Sequence, residues 1–178
     1  MIRRTVIVVG VMATLACAIL FGNYWGAERQ LSAVIHSDPR NEGVVAYAHY
    51  DYFVNESTLV FDLTNIDAKN SKLDVFRVFL QFAESQRNND FALVKLSFRG
   101  VPKFLIKGTY FKMLGLEYKQ QNSVYTIRTF PENLYTVDGK QAFGSWTGGL
   151  LGVLGKQMED FSEFHQQWYL REMVAAHG

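Results

Sequence analysis

His49 and Asp51 stand two residues apart in a run rich in tyrosine and valine. A strand puts both on one face, where they can share a metal ion or let the carboxylate orient the imidazole. The sequence places no further histidine or cysteine beside them, so the plainer reading is a partly exposed strand face. A second cluster, Glu159, Asp160, Glu163 and His165, falls at helical spacing. Glu159 and Glu163 share one side, while His165 lies on another, toward Phe161 and Trp168. That is not the HExxH arrangement of a zinc protease. It reads as a solvated face beside a packed histidine. There is no GxSxG, and the sole cysteine, Cys17, lies in an apolar run away from any base. Nucleophilic catalysis has no visible machinery, and no cofactor is expected.

The stretch Gly144-Ser145-Trp146-Thr147-Gly148-Gly149-Leu150-Leu151-Gly152-Val153-Leu154-Gly155-Lys156 is the most unusual in composition. Glycine-rich loops before helices can cradle phosphates with backbone N–H groups. Here Leu150 stands where a Walker loop needs its first glycine, and Gln157 stands where Ser or Thr would hold Mg²⁺, which excludes that mode of nucleotide binding. Gly144, Gly148 and Gly152 recur every four residues, a small-xxx-small pattern that lets a second helix or a membrane surface approach. The alternative is close packing on the protein's own sheet. With Trp146 they form the expected partner-binding surface. Lys95 and Arg99, with Lys103 and Lys107 on the neighbouring strand, are expected to add a basic patch facing outward. An acidic partner, anionic head groups or plain solvent would each suit it.

These residues must be positioned by the rest of the chain. Val44 to Val54 alternates as a strand, Asn55-Glu56 can turn it, and Thr58 to Thr64 alternates again. Ser71 and Asp74 form a capping box for a helix over about Lys72 to Gln86. Phe91 to Arg99 and Lys103 to Lys107 read as a hairpin about Gly100-Val101-Pro102. The order strand, helix, strand between Thr58 and Arg99 implies a parallel pair, and the hairpins imply antiparallel ones, so the sheet should be mixed. A short helix is expected from Thr109 to Tyr118 and a strand from Ser123 to Phe130. A long final helix is expected from Gly149 to Val174, broken near Gly152 or Gly155.

The amino-terminal segment carries the strongest signal of all. Arg3 and Arg4 precede a stretch, Thr5 to Ala27, without any charge. About 20 helical residues cross the hydrocarbon core of a bilayer. Only a helix satisfies its own backbone there. Tyr24 and Trp25 close the run, as interfacial aromatic rings do, and the arginines place the amino terminus inside. The expected anchor is residues 1–27, contacting lipid through residues 5–27, with Arg3, Arg4, Tyr24 and Trp25 at the interfaces. Two alternatives remain: a cleaved signal ending near Ala18, or a lipidated Cys17. All three export the remainder of the chain.

The whole chain has 178 residues, 48% of them hydrophobic, with 18 basic and 17 acidic side chains. Fourteen Phe, nine Tyr and three Trp supply a core and exclude global disorder. A net charge of +1 offers no footprint for nucleic acid. One cysteine excludes an internal disulfide framework. The expectation is an α+β protein: a signal-anchor helix (1–27), a stalk (28–43) and one extracytoplasmic domain (44–178) with a mixed sheet and packed helices. Its expected place is the inner (cytoplasmic) membrane, single-pass, with the domain on the periplasmic side. Its expected role is non-enzymatic, binding a protein partner. An anchored hydrolase or metal enzyme using His49 and Asp51, and an immunity-type protein neutralising a toxin, are the rival readings.

Overall fold

A computed structural model describes residues 2–176, except for the side chains of residues 2–9, 24, 150 and 151. Five strands lie in chain order across one mixed sheet. Strands β1 (Val44–Asp51) and β2 (Asn55–Ile66) form an antiparallel hairpin. Helix α3 (Lys72–Ser85) then crosses over to β3 (Leu93–Phe98), which runs parallel to β2. β4 (Val101–Lys107) and the short β5 (Leu134–Tyr135) complete the sheet with antiparallel pairs. The capping box at Ser71 and Asp74 is formed and starts α3. The α+β class and the mixed sheet are therefore those the hydrophobic periods require.

Ahead of the sheet runs a helix without a break: α1 (Ile2–Asn23), a π-helical turn (Tyr24–Glu28) and α2 (Arg29–Ser37). The part from Gly10 to Ser37 is long and apolar enough to cross a membrane, and only 12% of its apolar window is buried in the protein. The segment expected as a stalk is different. Leu31 of α2 and Ala27 are fully buried in the same core as the sheet. The stretch from Glu28 to Asn41 is thus part of the folded unit, held there because its apolar residues face α3 and β1.

The remaining helices, α4 (Gly108–Glu117), α5 (Ser123–Thr129), α6 (Leu150–His165) and α7 (Arg171–Ala175), come after in order. Phe61 of β2 meets Phe79 of α3 and Trp168 near the carboxyl end, so both elements cover the same face of the sheet. The strand expected over Ser123 to Phe130 is helical instead. Asn122 accepts the Val124 N–H at 2.9 Å and starts the turn, and no α5 residue is buried as a paired strand would require. The final helix is irregular not at Gly152 or Gly155 but at a π-helical turn, Gln166–Leu170. That turn buries both Trp168 and Tyr169. The Trp168 indole donates to the Ser97 carbonyl at 2.9 Å. Pro102 opposite Ser97 has no N–H to offer that oxygen, so the tryptophan satisfies it.

Candidate functional site

The most elaborate polar geometry lies where the amino-terminal helix meets the free edge of β1. An edge strand presents unpaired N–H groups that must find acceptors. Glu28 accepts the Ala48 N–H at 2.8 Å, and Asn23 Oδ1 accepts the Tyr50 N–H at 2.8 Å. Asn23 Nδ2 donates to the Ile19 carbonyl at 3.0 Å and to the Phe53 carbonyl at 2.5 Å. One buried amide therefore ties helix, strand and hairpin turn together. Gly26 admits the Tyr50 ring: a Cβ there would sit 2.1 Å from the phenol oxygen. Burial, with Glu56 nearby, raises the Tyr50 phenol above its ordinary value. On the other side of the π-helical turn the Arg29 guanidinium lies 4.3 Å over the Trp25 ring.

The β1–β2 turn is not at Asn55-Glu56 but at Tyr52-Phe53, with φ of 50° and 63°. Phe53 N–H donates to Tyr50 and Val54 N–H to Asp51, closing a tight turn on two left-handed residues within the three-residue loop Tyr52 to Val54, between the paired Asp51 and Asn55. Such loops ordinarily use Asn-Gly, because left-handed backbone is unfavourable for bulky side chains. Here the strain is offset by the Asn23 bond and by Phe53 stacking on His49 at 4.7 Å. His49 donates through Nδ1 to the Tyr50 carbonyl, and Asp51 pairs with Lys95 at 2.7 Å. The two residues that sequence set together thus serve separate partners. Beside them a cleft of about 460 Å³ opens between Leu20, Asn23, Tyr47, His49, Phe53 and Asp62. Its carboxylates are already used, Glu28 by Ala48 and Asp62 by the Gly100 N–H. Among the described residues no three His, Cys, Asp or Glu side chains gather as a metal site.

The expected basic patch is dispersed. Lys95 is neutralised by Asp51 and lies 5.5 Å from the Tyr52 ring. Arg99 belongs to the β3–β4 turn with φ of 51°, and its Nε donates to the Thr64 carbonyl. A bulge opposite Leu96 and Ser97 turns Lys103 toward the carboxyl-terminal helix, where it pairs with Glu172. Lys107 sits 5.0 Å over the Tyr135 ring. The turn itself is Arg99-Gly100, and Pro102 belongs to β4.

The glycine-rich stretch is open. Gly144 to Gly149 precedes α6 as irregular chain, so Gly144, Gly148 and Gly152 do not share one helix face. A Cβ on any of the three would meet nothing within 4 Å, so packing on the sheet does not explain them. Trp146 donates through Nε1 to Asp160 at 2.5 Å, and Lys156 lies 5.8 Å from its ring. The ring stays 38% exposed, standing on α6 like a bracket. Glu159 pairs with Lys156 at 2.8 Å and Glu163 with Arg171, as a solvated helix face would. His165 is fully buried between Phe161 and Phe164, with Nδ1 3.0 Å from the Tyr169 hydroxyl. Burial, with Lys72 nearby, pushes its imidazole down to about 3. Cys17 is exposed on α1. The side chains of Arg3, Arg4 and Tyr24 lie outside the described residues. Sequence reasoning missed Asn23 and Glu28; the available signal was an amide inside an otherwise apolar run.

No known protein family, curated protein or solved structure matches this chain.

Proposed function

We propose that this is a single-pass, membrane-anchored accessory protein whose extracytoplasmic domain binds a protein partner and performs no chemistry of its own. One observation carries the reading. The apolar helix continues into the domain without a hinge, and its upper end, at Ala27 and Leu31, is part of the domain's core. A domain fixed directly to its span is held at a set height and angle over the bilayer. That suits presenting a surface to a neighbour in the same membrane, where tethering confines both to a plane. The surface on offer is the open Gly144–Gly149 loop with the half-exposed Trp146, its glycines unobstructed and its indole held in place by Asp160. Lys95 and Arg99 lie elsewhere on the sheet and are engaged internally, which favours the loop over the basic patch.

The rival metal reading at His49 and Asp51 loses its support once Asp51 is paired with Lys95. The immunity-type reading shares the surface argument, and the partner's identity would separate it. A carboxyl-terminal reporter fusion together with amino-terminal sequencing tests the topology. The reading expects an active external reporter on an uncleaved chain starting at Met1. Cleavage near Ala18, or an acylated Cys17, would replace the anchor. In-cell photocrosslinking from Trp146, lost in Gly144→Leu and Gly152→Leu, tests the surface. The absence of any crosslink from position 146 places the partner elsewhere.

A further inference from the structure

We infer that the Tyr52-Phe53-Val54 hairpin tip is a second membrane contact, dipping into the outer-leaflet interface of the bilayer that holds α1. The inference rests on the membrane reading of α1 proposed above.

The chain direction sets the geometry. The helix climbs from α1 through the π-helical turn into α2, and β1 returns alongside it in the opposite sense. The ties step downward: Glu28 holds Ala48, Asn23 holds Tyr50, and Asn23 again holds the Phe53 carbonyl. The tip therefore hangs beside the turn from Ile19 to Asn23. A hydrocarbon core is crossed by about 20 helical residues. Counted from Arg4, that length ends close to Tyr24, so Asn23 and the tip lie at the boundary between acyl chains and head groups. A hairpin at that height must meet lipid.

The side chains fit this place. Tyr52 is 82% exposed, Phe53 46% and Val54 63%, which is a contiguous apolar and aromatic tip. Beside it Leu20 of α1 is 60% exposed and lines the neighbouring cleft with Phe53. A cleft of about 320 Å³ between tip and helix is lined by Leu15, Ile19, Phe53 and Val54 together with Asn23, Tyr50 and Glu56, a mixed apolar and polar lining that suits the boundary between acyl chains and head groups. Aromatic rings with one polar edge favour the interfacial layer. The two aromatic residues also occupy left-handed backbone where Asn-Gly would be unstrained, and lipid contact gives the rings a use that solvent does not. Asp51, the charged group next to the tip, is neutralised by Lys95. Glu56, exposed just past the tip, keeps the insertion shallow.

The test uses the full chain in lipid nanodiscs, labelled with an environment-sensitive fluorophore at single thiols. The sites are native Cys17 and, in a Cys17→Ser background, Val54→Cys, Tyr52→Cys and Val101→Cys. Val101 lies at the opposite end of the sheet, at the start of β4. Nitroxide lipids are the quencher. The expected result is a loss of most emission at Cys17, Val54 and Tyr52, with shallow nitroxides quenching the tip best, and none at Val101. A quenched Cys17 with an unquenched tip overturns this inference and leaves the anchor standing. An unquenched Cys17 overturns the anchor itself. A tip label that is shielded but unquenched, and only at high protein density, means that a second copy covers it, which also overturns lipid contact. Tyr52→Cys guards against misfolding at Val54, since its side chain makes little demand on packing.

Discussion

Two exceptional stretches of backbone in this protein are supported in opposite ways. At the β1 edge, the helix and the Tyr52-Phe53 turn are bound by Asn23 and Glu28, and a single added carbon at Gly26 would collide with Tyr50. Around Gly144 to Gly149, added carbons at Gly144, Gly148 and Gly149 meet open space, and the Trp146 indole ties the loop to α6 through Asp160. The first region fixes the domain on its helix. The second is free to be covered by something else. A protein that needs rigid mounting and an available surface would separate the two in this manner.

The contrast can be broken most forcefully at Leu31. Leu31→Ala should cost about 2–5 kcal/mol, as buried Leu→Ala changes do. Denaturant unfolding of the detergent-solubilised full chain measures it. A cost no greater than a surface change would mean that α2 is a stalk after all. Next comes Asn23→Ala, which strands a buried N–H and a carbonyl and should cost about 1–3 kcal/mol. Hydrogen exchange should quicken at the Tyr50 amide in that variant. Glu28→Gln should leave the Ala48 amide protected where Glu28→Ala does not.

The core beneath α6 gives a pH-dependent effect. His165 has its folded value lowered to about 3 from 6.5, so the unfolded chain binds the proton more tightly over that interval. Its contribution is complete above pH 6.5 and is lost as pH falls toward 3. The slope is at most about 1.4 kcal/mol per pH unit. Denaturation midpoints across that range should flatten in His165→Phe. The smallest effect belongs to the loop and the first turn of α6. Gly144→Leu and Gly152→Leu should each change stability by about 0.5 kcal/mol or less. Gly148→Leu should cost more, because Gly148 has φ of +134°. A large penalty at Gly144 would show that the loop is packed.

Sequence made legible whatever depends on near neighbours. The alternation in β1 and β2, the capping box of α3 and its apolar stripe are local, and the parallel crossover comes from their order. The π-helical turn at Gln166–Leu170 leaves no such trace, because the turn answers to Ser97 across the sheet. The Ser123 to Phe130 segment was misleading because Val124, Tyr125 and Ile127 favour strands by type, while Asn122 and the lack of a pairing edge decide for helix. The candidate sites divide similarly. The exposed Trp146 and the glycines were visible as composition. Asn23 was not, because its partners Tyr50 and Phe53 are 27 and 30 residues away. His49 and Asp51 looked paired only because spacing along a strand says nothing of Lys95 on another.

On the proposed membrane reading of α1, its unbroken passage through the π-helical turn into α2 makes the domain a lever. Membrane helices commonly lean by about 20°, by an amount that depends on bilayer thickness. With no swivel at Tyr24–Glu28, such a lean is carried whole into the domain and swings the far end of α2 sideways by several ångströms. Thickening or thinning the lipid would then re-aim Trp146 without a single side chain changing its partner.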